Sequence, residues 1–81
     1  MMKHIMMVTD FSERSDRALR RATLLARQVG ATLTLIHAVD DDRPKRIVDR
    51  ERHDAEELLR QLVATLRDVD SVTSDMRVIL G

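Results

Sequence analysis

Two hydrophobic periods alternate along this 81-residue chain, and their alternation constrains the fold more than any other feature. Residues 3–9, 31–37 and 76–80 are mostly apolar and short, as strands are. Residues 12–29 and 45–67 repeat apolar side chains with the period of a helix. Strands that alternate with helices are typical of a parallel sheet with right-handed crossovers. The pattern therefore predicts an α/β fold in the order strand, helix, strand, helix, strand.

The first strand and the first helix carry the clearest local signals. Residues 5–8 form a continuous apolar run, which predicts a strand buried on both faces. Ser12 is a good N-cap for the helix, and Gly30 suits the position just after its end. The apolar side of this helix is predicted to comprise Ala18, Leu19, Ala22, Leu25, Ala26 and Val29.

Composition excludes several classes of function. The 14 basic and 14 acidic side chains cancel, and there is one aromatic residue, so the chain lacks the basic field and the stacking surfaces of nucleic-acid binders. It has no cysteine, and His4, His37 and His53 do not have the spacing of metal ligands, so we expect no metal site. The apolar runs are too short for a signal peptide or a membrane span. We expect one cytoplasmic domain over residues 1–81, with no membrane or nucleic-acid partner.

Two segments follow strands at what should be one edge of the sheet. Ligands of open parallel sheets bind beyond the carboxyl ends of the strands. Here those ends are residues 8–12 and 37–40. The Asp10 carboxylate could accept hydrogen bonds from a ribose diol, or it could accept backbone N–H groups of the turn, and both alternatives remain open. Ser12 is better explained as a cap than as a nucleophile, and His37 as a partly buried, hydrogen-bonded side chain.

The turn after the first strand is poorly suited to phosphates. Val-Thr-Asp-Phe-Ser at residues 8–12 contains none of the glycines that let a backbone approach a pyrophosphate. No phosphate loop, nucleophile–base pair or metal cluster is recognisable elsewhere in the sequence. The sequence therefore predicts that the protein is not an enzyme.

Residues 4–12 and 31–40, together with Ala18-Leu19, resemble the universal stress protein family, in which the first strand ends in Thr-Asp-Phe-Ser and the second in Leu-His-Val. The resemblance implies a Rossmann-like domain that binds ATP or another adenine nucleotide and acts in the stress response, usually as a cytoplasmic homodimer. It implies that Val8 and Thr9 line the nucleotide, that Asp10 contacts the ribose, and that the backbone at Ala38 contacts the adenine.

The resemblance also implies that only the N-terminal half of such a domain is present. The family sheet has five strands, and this chain supplies three, in the order 3-2-1. The glycine-rich phosphate loop belongs to the other half, so we expect nucleotide binding to be weak or absent. The first strand would then be an uncovered edge, which predicts a homodimer that pairs these strands. A dimerisation or scaffold module without a ligand is the alternative function.

Overall fold

The computed structural model describes residues 3–81, so residues 1 and 2 of the predicted domain lie outside the described part. Five elements follow one another along the chain, in the order that the hydrophobic periods predict. They are β1 (His4–Val8), α1 (Glu13–Val29), β2 (Thr32–Val39), α2 (Lys45–Asp68) and β3 (Ser74–Leu80).

The three strands form one parallel sheet in the order β1-β2-β3, which confirms the predicted α/β fold and strand order. Val8 of β1 is paired with Ile36 of β2, and Val39 of β2 with Leu80 of β3. The second strand extends two residues beyond its predicted end, because β3 continues to pair with it as far as Val39. Within residues 3–81, β1 pairs with β2 alone and therefore forms an edge of the sheet.

The ends of α1 are those that the sequence predicts. The Ser12 hydroxyl accepts a hydrogen bond from the Ser15 N–H at 3.2 Å and caps the helix start. At the other end, Gly30 has a φ of 69° and Ala31 donates to the Ala26 carbonyl. This left-handed backbone is accessible to glycine at little cost, and it turns the chain directly into β2.

Both helices lie on the same face of the sheet, here called the covered face. Leu33 and Leu35 of β2 point into it and are buried in one cluster with Leu59 of α2 and Ala26 of α1. Successive side chains of a strand alternate between faces, so β1 presents Met7 to this core and Met6 to the opposite, open face. Met6 is 64% exposed, so the prediction that the first strand is buried on both faces is wrong.

The same arrangement shifts the buried stripe of α1. The side chains that enter the core lie around Thr23 and Ala26, which are buried. Leu24 faces the groove beside α2, whereas within residues 3–81 no helix or strand lies against the opposite flank of α1, beyond β1. That flank comprises Ala18, Leu25 and Val29, which are exposed although the helical period predicts that they are buried.

The helix α2 packs over β2 and β3. Its buried side chains are Val48, Ala55, Leu59 and Leu66, all on the predicted apolar stripe. Its outer face is charged and carries side-chain ion pairs such as Arg52 with Glu56 at 3.2 Å. Within residues 3–81, neither helix combines the length and the apolar character that crossing a bilayer requires.

The open face has a polar half and an apolar half. At the amino ends of the strands, Thr34 donates to Asp75 at 2.6 Å and is 2.7 Å from His4 Nε2, while His4 Nδ1 is 2.8 Å from the Thr32 hydroxyl. Because the Thr34 proton is used on Asp75, His4 Nε2 is the donor to Thr34. At the carboxyl ends lie four apolar side chains, here called the apolar shelf: Val8, Ile36, Ala38 and Ile79.

Candidate functional site

The predicted site residues all lie at the carboxyl edge of the sheet. Thr9 continues the β1–β2 ladder by donating its N–H to the Ile36 carbonyl at 2.8 Å. Asp10 follows directly, and Ala38 lies on the neighbouring strand two residues beyond Ile36. Adjacent parallel strands are about 4.8 Å apart, so the end of β1 and the end of β2 form one rim.

Thr9 fixes the turn rather than presenting a polar side chain to solvent. The residue is buried, and its Oγ1 accepts a hydrogen bond from the Phe11 N–H at 3.0 Å. His37 Nδ1 lies 2.8 Å from the Thr9 carbonyl oxygen and, facing an acceptor, donates to it. The hydroxyl and both backbone polar groups of Thr9 are therefore occupied within the protein.

Phe11 holds the turn in an unusual backbone conformation, which the sequence does not reveal. Its φ is 63°, in the left-handed region that bulky side chains rarely adopt. The ring lies against the His37 ring, with centroids 4.6 Å apart and planes inclined by 37°. His37 was predicted to be partly buried and hydrogen-bonded, which is confirmed. Its contact with Phe11 joins residues 26 positions apart, so no local pattern could have indicated it.

Asp10 is held by the start of α1 through one of its two carboxylate oxygens. Oδ1 accepts hydrogen bonds from the Ser12 N–H at 2.9 Å and from the Ser15 hydroxyl at 2.6 Å. The hydrogen bonds from Ser12 and Ser15 hold the pKa of Asp10 well below its ordinary value, so the carboxylate is charged at neutral pH. Both of these hydrogen bonds end on the same oxygen, Oδ1. The turn-capping alternative is thus realised on Oδ1, and a contact between this carboxylate and a ribose stays a prediction.

Val8 and Ala38 present their side chains on the open face. Val8 is 68% exposed beside Ile36, and Ala38 is exposed beside Ile79. The apolar shelf therefore meets the charged Asp10 at the rim. A flat, largely apolar group with a hydroxyl at one end is complementary to this arrangement.

Acidic residues continue along the rim after β2. Residues 40–42 are three consecutive aspartates, and Asp40 Oδ1 accepts a hydrogen bond from the Asp42 N–H at 2.9 Å. Over residues 3–81, no group of three or more potential ligands is arranged to hold a metal ion. The acidic loop is therefore a source of negative potential at the rim.

Two connected hollows lie on the covered face, away from the apolar shelf. One, of about 340 Å³, lies between α1 and α2 and is lined by Leu19, Leu24 and Leu66. The other, of about 390 Å³, extends from Leu62 to Phe11. They exist because the two helices flank the central strand and leave a gap above it.

Comparison with protein families identifies one match. The model of the Universal stress protein family matches residues 1–78. No curated protein matches the sequence.

Solved structures with the same fold include several universal stress proteins. The universal stress protein UspA from Lactobacillus plantarum superposes with a TM-score of 0.86 at 20% identity, over 98% of this chain and 61% of that one. A protein of the universal stress protein family from Burkholderia pseudomallei superposes with a TM-score of 0.84 at 24% identity, over 98% of this chain and 63% of that one. A universal stress protein in complex with cAMP superposes with a TM-score of 0.64 at 20% identity, over 98% of this chain and 61% of that one. The chain thus spans less than two thirds of the length of each of these structures.

Proposed function

This chain belongs to the universal stress protein family, and from that premise we propose that it is a regulatory module that binds an adenine nucleotide at the rim formed by β1 and β2. The proposed contacts are those that the family resemblance implies: Asp10 to the ribose, Val8 and Thr9 beside the nucleotide, and the Ala38 backbone to the adenine. Thr9 positions the turn. The proposed setting is the stress response in the cytoplasm.

One observation carries the proposal. The Asp10 carboxylate is charged, both of its hydrogen bonds to Ser12 and Ser15 are made through Oδ1, and it follows the apolar shelf, of which Val8 and Ile79 are exposed. A carboxylate oxygen accepts a hydrogen bond from each hydroxyl of a ribose diol, and apolar side chains pack against the flat face of adenine. A universal stress protein of the same fold has been solved in complex with cAMP, an adenine nucleotide, which supports an adenine ligand for the proposed site.

The proposed module binds without catalysing. The hydroxyls of Ser12 and Ser15 are both used in the turn, as cap and as donor to Asp10 respectively. Neither is paired with a base that could activate it as a nucleophile. The two strand–helix turns, residues 9–12 and 40–44, contain no glycine. Their side chains keep phosphates away from the backbone N–H groups, so we propose that this chain binds polyphosphates weakly.

Calorimetric titration of the protein with adenosine and AMP tests the proposal. We expect saturable binding that Asp10→Ala abolishes or weakens by tenfold or more, because the variant removes the acceptor for the ribose. Ser15→Ala is the matched control. It removes one hydrogen bond to Oδ1 and loosens the same turn, but it leaves Oδ2 in place. Thermal unfolding of both variants reports how much each one loosens the fold.

Two outcomes would contradict this function. Absence of binding to any adenine ligand would exclude it, and equal losses in Asp10→Ala and Ser15→Ala would show that the turn, rather than the Asp10 carboxylate, supports binding.

A second candidate function is favoured by the edge of the sheet. Within residues 3–81, β1 is paired with β2 on one side and is unpaired on the other. Two of its side chains, Met6 and Val8, are exposed. Proteins cover such edges, since unpaired N–H and C=O groups attract another strand. We propose that two copies pair their β1 strands antiparallel about a two-fold axis, which would make this chain a dimerisation module.

Analytical ultracentrifugation tests this second candidate. We expect a dimer at micromolar concentration that Met6→Pro dissociates, because residues 3 and 9 bond to β2, so the Met6 N–H points to the unpaired side of β1 and proline removes it. Val69→Pro is the control, since it removes a backbone donor outside the sheet, just after α2. A monomeric wild-type protein would exclude the dimer, and a Met6→Pro variant that is still dimeric would exclude this interface.

A further inference from the structure

We propose that the groove between α1 and α2 binds the acyl chain of a medium-chain fatty acid, whose carboxylate pairs with Arg20. The groove consists of the two connected hollows on the covered face, which share Leu62 and Thr65 in their linings. It lies on the other face of the sheet from the apolar shelf, so the proposal stands independently of the proposed function. Its shape, its lining and its charges all favour such a ligand.

The groove is elongated because its two walls are helices. On α2, Leu58, Leu62 and Leu66 follow one another at intervals of about one turn and line one wall. With a rise of about 1.5 Å per residue, these three leucines cover about 12 Å along the helix. Leu19 and Leu24 of α1 line the opposite wall. A linear chain is complementary to a channel of this form.

Both walls of the groove belong to the described chain. The groove lies on the α2 side of α1, whereas the unpaired edge of the sheet lies on the other side of α1, at β1. A strand added to that edge would extend the sheet away from the groove. A larger sheet would therefore leave this space between the helices open.

The lining offers mostly apolar surface and few hydrogen bonds. Leu24 and Leu58 are 59% and 44% exposed, so each has apolar area that a ligand would bury. Thr23, a buried polar residue of the lining, donates its hydroxyl to the Leu19 carbonyl at 2.7 Å. That proton is used within α1 and is not available to a ligand. The body of the ligand is therefore expected to be aliphatic.

Arg20 places one positive charge on the wall of the groove. The residue is exposed, and within residues 3–81 no acidic oxygen lies within 4.0 Å of its guanidinium. Asp70 lines the same hollow and Asp16 the neighbouring one, so these two positions repel an anion. A guanidinium pairs with a carboxylate through two parallel N–H donors. A ligand with one negative charge at the end of its chain is therefore complementary to the groove at Arg20.

An NMR titration of the isotope-labelled protein with hexanoate, octanoate, decanoate and octanol, all below their micelle concentrations, tests the proposal. We expect decanoate to shift the amide signals of Leu24 and Leu62. It should bind about tenfold or more tightly than hexanoate, because each further methylene that is fully buried adds about fourfold to the affinity. Octanoate should bind about threefold more tightly than octanol, which is the advantage that an exposed ion pair provides.

Two pairs of adjacent residues supply matched variants. Leu24→Gln should weaken decanoate binding about fivefold. Leu25→Gln changes a leucine that is also exposed but does not line either hollow, so it should leave binding unchanged. Arg20→Gln should remove the advantage of octanoate over octanol. Arg21→Gln should preserve it, because Arg21 is an exposed arginine of the same helix that lies outside both linings.

Several outcomes would overturn the proposal. If decanoate does not bind the wild type, or if its shifts are confined to the apolar shelf, the groove is not an acyl site. Equal losses in Leu24→Gln and Leu25→Gln would exclude the groove as well. An advantage of octanoate that persists in Arg20→Gln would overturn the role of Arg20. Shifts along the groove that arise from raising the protein concentration alone, without any effect of decanoate, would assign this surface to a second copy of the chain.

Discussion

The covered face and the open face are built from the same three strands but have opposite properties. On the covered face, Leu33 and Leu35 are no more than 1% exposed and pack beneath both helices. On the open face, Val8 and Ile79 are 68% and 46% exposed, beside a cation and a row of hydrogen-bonded polar groups. Since a strand alternates its side chains between faces, one segment such as β2 supplies the core and the candidate ligand surface at once.

This difference indicates that the covered face supplies most of the stability of the fold. Burial of apolar area is the main source of folding free energy, and it is concentrated where the helices lie. On the open face, burial is confined to the middle strand, where Thr34 and Ile36 are buried, while its flanking side chains Met6, Val8 and Ile79 are exposed. Three predictions concern the covered face, the polar half of the open face and the rim where the faces meet.

The largest expected effect is on the covered face. Leu33→Ala should lower the free energy of unfolding by about 2–5 kcal/mol, because it leaves a cavity beneath the helices. Val8→Ala on the open face should change it by less than about 0.5 kcal/mol, since most of that side chain already contacts solvent. Urea denaturation of both variants measures the contrast. Similar losses in the two variants would show that the open face is covered in solution by something other than the edge-to-edge dimer.

An intermediate effect is expected in the polar half of the open face. Thr34→Val conserves volume but removes the hydroxyl between His4 and Asp75, so it should cost about 1–2 kcal/mol. Thr32→Val, which removes a single contact with His4, should cost less than about half as much. Denaturation curves for the two variants, with the same denaturant slope, provide the comparison. If Thr34→Val leaves the free energy of unfolding unchanged, the hydrogen bonds from His4 to Asp75 add no stability to the open face.

The smallest effect is expected at the rim where the faces meet, and it depends on pH. The hydrogen bonds from Ser12 and Ser15 depress the pKa of Asp10 in the folded protein, so the unfolded chain binds this proton first as pH falls. The stability that ionised Asp10 contributes is therefore present above its unfolded pKa of about 3.9 and is lost in acid. Asp10→Asn should lower Tm by a few degrees at pH 7, and the difference in Tm between the variant and the wild type should narrow below about pH 4. A difference in Tm that does not change with pH would show that the variant acts through altered hydrogen-bond geometry rather than through the lost charge.

The sequence predicts the elements of this fold better than their surroundings. Ser12 and Gly30 mark the ends of α1 because capping depends on a few adjacent residues. The exposure of Met6 and Leu25 depends on which faces the helices cover, and no local period contains that information. The row from His4 to Asp75 likewise requires the register of three strands.

For the candidate site, the sequence predicts the location but not the contacts that hold the turn in place. Asp10 and Ala38 lie at one rim because parallel strands end at one edge. The contact between Phe11 and His37, and the double engagement of Asp10 Oδ1, arise only when distant segments meet. The roles of Val8, Thr9, Asp10 and Ala38 toward a nucleotide remain predictions.

The left-handed backbone of Phe11 has a consequence for the thermodynamics of any binding at the rim. Such a conformation costs roughly 1–2 kcal/mol for a residue other than glycine, and here the Thr9 hydroxyl and the His37 ring maintain it. The turn is thus already ordered before a ligand binds. An incoming molecule does not have to order a loose loop, so little of its interaction energy is lost to conformational entropy.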